Sequence, residues 1–200
     1  MFKENEVLKH HMPSFHEVEK YIKKWNELED YVNQERALNK LFLVLCKDNN
    51  SIENILIKCS TLNDFYSTNI FKIHNVAVHY YHQNIDRRLA IGDLSIIDDL
   101  AHIAINGKTF CFYSFATKFC SHHRPDIYPI YDSYVHKLLK YFSKRDCFDK
   151  FTDKNLREYQ LYTEIIMSFR RFYGLESFNV KELDKYLWQL GKEAFGKRNY

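Results

Sequence analysis

The chain has 200 residues, enough for one domain with a substantial core or at most two small ones. It is 46% hydrophobic and 28% charged, which excludes a disordered chain, and its net charge of +3 permits nucleic-acid contact without demanding it. Aromatic residues are abundant (15 Tyr, 16 Phe, 2 Trp), whereas 5 Gly and 3 Pro provide few breaks, a balance that favours long helices over a turn-rich β architecture.

The first stretch, MFKENEVLKHHMPSF, carries no apolar core of the signal-peptide type. Phe15, Val18, Tyr21, Ile22, Trp25, Leu28, Tyr31 and Val32 then recur at three- and four-residue steps, the mark of amphipathic helix. Leu38, Leu41, Phe42 and Leu45 continue the pattern to the KDNN break at 47–50. A short helix is expected over 52–59, and TLNDFYSTNIF offers Thr61 or Asn63 as a further cap. Gly92-Asp93 predicts a helix start with Asp93 as N-cap and Ile96, Ile97, Leu100, Ile103 and Ala104 inward. Phe110 to His122 reads as a helix apolar nearly all round, hence buried.

After Pro125 and Pro129 a helix resumes at Asp132, with Val135, Leu138, Leu139 and Phe142 inside. Another covers about 155–173 and ends at Gly174; the last opens on an Asn179/Glu182 capping box and is expected to stop at Gly191. The expectation is an all-α, multi-helix single domain over residues 1–200. It would have an N-terminal helical lobe at about 15–90, a second at about 91–195, and a cleft between them. The longest apolar runs, LFLVLC and FCFYSFA, fall far short of the roughly 20 residues of a membrane span. Five widely spaced cysteines point to reduced thiols and a cytoplasmic location.

Cys111, Cys120, His122 and His123 form the densest set of soft ligands, but their spacing lacks the two separated pairs of a zinc site, so no metal or other cofactor is expected. Cys120 lacks the setting of a catalytic thiol. Asp132 precedes S-Y-V-H-K-L-L, where a carboxylate caps free amides and can also face a cleft. On that helix Lys137, Lys140 and Lys144 lie opposite the apolar face; with Arg145, and with Arg170 and Arg171 on a later helix, they could track phosphates. Tyr128, Tyr131 and Tyr134 around the Pro129 bend are expected to be exposed, available for stacking on a base.

The segment I130-Y131-D132-S133-Y134-V135-H136-K137-L138 resembles the V-D-x-H-[VI]-x-R-[VL] motif of the helix-hairpin-helix Gly/Pro/Asp DNA glycosylase superfamily. LDKYLWQLGKEAF at 183–195 resembles a late helix of that family, and the likeness spans roughly residues 90–195. It implies Asp132 as the catalytic carboxylate, DNA as partner through Lys137, Lys140, Lys144 and Arg145, and base extrusion near Tyr131 and Tyr134. In ungapped register the family's Thr-Ala pair falls on Phe115-Ala116, its lysine on Ser114, and its hairpin glycines on Phe110 and Phe112, which cannot admit a phosphate as glycine does. Lys118 stands four residues away, one helical turn, where it can present an amine to the same side. No iron–sulfur cysteine cluster follows, and the resemblance then implies a monofunctional glycosylase using Asp132, or a relative that keeps the scaffold without the chemistry. The alternatives are DNA binding without chemistry and a helical protein-interaction module, as a homodimer or with another protein.

Overall fold

Four of the helices begin where the sequence supplies a capping side chain. A computed structural model describes residues 6–196, so the ends of the expected domain, 1–5 and 197–200, lie outside the described residues. After the short α1 (Glu6–Lys9), Ser14 accepts a hydrogen bond from the Glu17 amide at 3.4 Å and starts α2 (Phe15–Glu27). Leu28 turns the chain into α3 (Glu29–Lys40), which runs on into a π-helical segment, Leu41–Leu45. Of those five residues only Phe42 is buried; Leu43, Val44 and Leu45 face outward.

Ser51 caps α4 (Ile52–Phe65), which continues past the expected end at 59. Asn63 lies inside it and organises the following loop instead: its Oδ1 accepts from the Ile70 amide at 2.8 Å and its Nδ2 donates to the Ile70 carbonyl. Next come α5 (Ile73–Tyr81) and α6 (Ile85–Ala90). Asp93 does not cap a helix directly. It folds a turn, accepting from the Ser95 amide and hydroxyl and pairing with Arg88 at 2.7 Å, and α7 begins at Ile96 (Ile96–Ala101).

The helix expected through Ala104 ends at Ala101 and the one expected from Phe110 starts at Tyr113; between them the chain makes a two-stranded antiparallel hairpin, β1 (His102–Ile105) and β2 (Lys108–Cys111), before α8 (Tyr113–His123). Asn106 and Gly107 both have positive φ, 51° and 75°, the backbone of a tight two-residue turn that only such residues adopt readily. Ile103 and Ile105 point inward while Ala104 faces solvent, and Phe110 stacks on Phe112.

Asp132 caps α9 (Ser133–Asp146), accepting from the Tyr134 amide at 2.7 Å. A 3-10 turn (Asn155–Arg157) leads to α10 (Tyr159–Phe172), and Gly174 follows in the left-handed conformation. The capping box forms on α11 (Val180–Phe195): Asn179 accepts from the Glu182 amide at 2.9 Å and the Glu182 carboxylate accepts from the Asn179 amide at 2.8 Å.

The fold is thus all-α apart from the hairpin. A continuous set of buried side chains runs from Leu8 to Leu190, with α11 packed on α9 and α2, α7 on α8, and α4 on α5 and α8. No helix among the described residues is long and apolar enough to cross a membrane.

Gly191 does not stop α11, which continues another turn to Phe195. It is buried where α11 crosses α9, and a Cβ there would lie 2.7 Å from the Tyr134 Cβ and 3.1 Å from its carbonyl carbon and oxygen. Gly191→Ala is therefore expected to cost about 1–3 kcal/mol through overpacking, measured by denaturant unfolding, despite alanine's higher helix propensity. A neutral or stabilising effect would mean that this crossing is not tight.

Candidate functional site

Between α9 and the end of α8 the chain runs extended through Pro129–Asp132, with no strand partner for its backbone polar groups. Side chains provide the partners instead. Tyr159 donates to the Pro129 carbonyl at 2.9 Å and Tyr162 to the Ile130 carbonyl at 2.6 Å. The Ile130 amide donates to Asp184 Oδ2 at 3.0 Å, and the Tyr131 amide to Thr117 Oγ1 at 3.1 Å. Ser114 Oγ donates to the Tyr131 carbonyl at 2.9 Å. Three helices, α8, α10 and α11, thereby hold the residue next in line, Asp132, in one place.

Asp132 lines a pocket of about 320 Å³, at the small end of the range for small-molecule sites. Lys118 lines it too, so the fold brings together the two residues the sequence singled out for chemistry. Lys118 is 5% exposed, and its ammonium donates to Ser114 Oγ at 2.5 Å and lies 5.1 Å from the Tyr66 ring centre. Burial pulls its pKa below the ordinary lysine value, and the nearby Asp132 charge opposes that shift. Ser114, the position on which the family lysine falls, is thus in direct contact with the amine from the next turn.

Much of the lining is aromatic. Trp25, Tyr31 and Trp188 pack edge-to-face or tilted with ring centres 5.3–5.9 Å apart, and Tyr66, Phe65 and Tyr134 complete the lining. Lys185 pairs with Glu35 at 2.7 Å and sits 5.1 Å from the Trp25 ring centre; Trp25 Nε1 donates to Glu35 at 3.1 Å. His122 hydrogen-bonds the Tyr66 hydroxyl at 2.9 Å, and burial drives its pKa well below the ordinary histidine value, with Lys181, His123 and Lys118 adding to the effect. The imidazole is therefore neutral.

Four lining residues on α11, Lys181, Asp184, Lys185 and Trp188, were not singled out from sequence. Asp184 is buried; one oxygen holds Ile130, and the other, Oδ1, is buried with no hydrogen-bond partner. Lys181, one turn earlier, has its pKa lowered by burial, against the raising effect of Asp184 and Glu35. Their signal lay in spacing: Lys181, Asp184, Lys185 and Trp188 fall at helical steps on one stripe of α11, opposite the apolar Leu183, Leu187 and Leu190.

The expected phosphate-tracking residues have more varied settings. Lys137 is exposed, with its ammonium 5.9 Å and 5.8 Å from the Tyr134 and Phe195 ring centres. Lys140 pairs with Asp153 at 2.7 Å, and Lys144 is exposed. Arg145 holds structure: it pairs with Asp146 at 2.5 Å and donates to the carbonyls of Leu8 and His11. Arg170 closes the end of α10 through the Leu175 and Glu176 carbonyls.

Of the tyrosines expected at the surface, Tyr128 is buried with its hydroxyl donating to the Asp93 carbonyl. Tyr131 is half-buried and joins His136 and Asp153 in a hydrogen-bonded chain. Tyr134 is half-buried on the pocket wall. Cys120 is buried in α8, whereas Cys111 is exposed on β2.

The aromatic-walled pocket thus brings the buried Lys118 amine together with the carboxylates of Asp132 and Asp184. Residues 17–127 match the family model HI_0787_N, described as an N-terminal domain. The chain is also 48% identical over 151 residues to a Haemophilus influenzae protein named only as an uncharacterized protein, a match covering 75% of this chain and 72% of that one. The chain belongs to this family. No solved structure matches it. The matched domain contains Trp25, Glu35, Lys118 and His122, while Asp132, Lys181, Asp184 and Trp188 lie beyond it, so the pocket is assembled from both sides of residue 127.

Burial raises the Asp184 carboxyl from 3.8 to about 7, against the lowering effects of the Ile130 amide and Lys181. Between pH about 4 and 7 the folded chain keeps this proton and the unfolded chain has released it. Raising pH through that window therefore weakens the fold through Asp184, by up to about 1.4 kcal/mol per unit. Asp184→Asn removes this contribution. Its melting temperature is expected to gain on that of the wild type between pH 4 and 7 and to hold the gain above; a difference independent of pH would contradict this assignment.

Proposed function

We propose that the pocket receives a nucleobase extruded from DNA and that the protein is a DNA N-glycosylase-like enzyme. The observation that carries this reading is the convergence of Lys118 and Asp132 on one aromatic-walled pocket. A base needs flat aromatic surfaces to replace the stacking it loses, which Trp25, Trp188, Tyr66 and Tyr134 offer. Cleavage of the bond between sugar C1′ and the base nitrogen builds positive charge on the sugar, and a carboxylate held rigidly at that point stabilises it. Asp132 suits this role because its cap bond uses Oδ1 and leaves Oδ2 outside the cap.

Lys118 supplies the nucleophile. Its depressed basicity leaves more of the amine unprotonated at neutral pH, and the Ser114 hydroxyl orients it. The amine forms a bond to C1′ as the base departs with the bonding electron pair, and the proton the new ammonium releases passes to the departing base; the product is an amine–sugar adduct that opens to a Schiff base. Lys137, exposed beside Tyr134 on the helix that starts at Asp132, is in position to meet a phosphate.

A second reading, a protein-interaction module, is favoured by the outward Leu43, Val44 and Leu45 of the π-helical segment. It leaves the buried amine and the carboxylates without a task, so the enzymatic reading is preferred.

The test is base release from duplex oligonucleotides carrying single oxidised, deaminated or alkylated bases, with borohydride trapping of any covalent adduct. Asp132→Asn is expected to lower release at least about 100-fold while melting within a few degrees of the wild type. Lys118→Ala is expected to abolish the trapped adduct. Absence of release across the panel, together with no DNA binding at low salt, would sink the proposal.

A further inference from the structure

Asp184 Oδ1 is an enclosed carboxylate oxygen with no hydrogen-bond partner, on a residue that lines the pocket. A buried acceptor left unpaired is costly, and a ligand that donates to it recovers that cost on binding. Lys181 lines the pocket one helical turn earlier on α11, on the same face, and can only donate. The site therefore sets an acceptor beside a donor.

We propose that Asp184 and Lys181 read the edge of the bound base and select bases that carry a ring N–H beside a carbonyl. This rests on the base-binding reading above and deepens it. A lactam edge, as in hypoxanthine, guanine or uracil, gives its N–H to Asp184 Oδ1 and takes the Lys181 ammonium on its carbonyl oxygen. An amidine edge, as in adenine or cytosine, presents the reverse order, with a bare ring nitrogen toward the carboxylate and an amino group toward the ammonium. Both contacts are then repulsive. A site built on buried polar groups rejects a mismatched ligand strongly because those groups remain unpaired. Neither residue is needed for bond cleavage, so the selection is separable from Asp132 and Lys118.

Hypoxanthine and adenine have the same ring system and differ at this edge alone, which makes them the natural probes. The chain has 2 tryptophans, Trp25 and Trp188, and both line the pocket, so intrinsic fluorescence reports its occupancy directly. Titrations of the full chain at pH 8, where the Asp184 carboxyl is mostly ionised, are expected to show hypoxanthine binding at least about tenfold tighter than adenine. In Asp184→Asn the remaining amide oxygen keeps the Ile130 bond and an NH2 group takes the place of Oδ1, so hypoxanthine loses one contact and adenine gains one, and the preference is expected to collapse toward parity. Lys181→Met is expected to weaken hypoxanthine, which loses the partner of its carbonyl, and to tighten adenine, whose amino group no longer meets an ammonium, which provides a second variant should Asp184→Asn fail to fold. Equal binding of the two bases by the wild type, or tighter adenine binding, would overturn the edge-reading role and leave the base pocket standing. Quenching by neither base would overturn both.

Discussion

The architecture depends on how four residues of extended backbone are kept from losing their hydrogen bonds. Pro129–Asp132 lies between helices with no strand beside it, and an unpaired buried amide or carbonyl costs roughly 1–3 kcal/mol. Tyr159, Tyr162, Asp184, Thr117 and Ser114 each satisfy one such group, from three different helices. Those side chains are polar residues in otherwise apolar surroundings, and their presence there makes chemical sense only with the segment in place. The same bonds carry Asp132 to the start of α9, so the arrangement that secures the fold also aims the carboxylate.

Around that carboxylate the pocket places unlike groups at close quarters. Lys118 and Lys181 lose basicity through desolvation, and Asp184 is raised by the same cause. Opposed shifts within one enclosed space are what low water content does to mixed charges, and they are the usual setting for proton and nucleophile chemistry. Elsewhere in the lining, Lys185 and Glu35 neutralise each other against Trp25.

Local features were the easiest to read from the chain. The Asp132 cap, the Asn179–Glu182 box and the Gly174 stop depend on neighbours within four residues, and each appears where the spacing predicts it. The hairpin at 102–111 escaped because strands of four residues are too short to show alternation, though Asn106-Gly107 was its one clear signal. Gly191 misled because a glycine that ends a helix and one that admits a crossing helix look alike in sequence. Asp132 and Lys118 were both legible as candidates, but their meeting in one pocket was not, and Asp184 was invisible as a site residue because its enclosure comes from distant segments.

Gly191 and Asp184 lie seven residues apart on α11, two turns of a single rigid rod. At Gly191 that rod touches the first turn of α9 backbone to side chain, and at Asp184 it grips Ile130 just before α9 begins. Two points of attachment on one rod act as a gauge, fixing the span between the Asp184 and Asp132 carboxyls before any ligand arrives. Such a site has little geometry left to search for on binding. Its selectivity would be that of a template cut in advance rather than of a mould shaped by its guest.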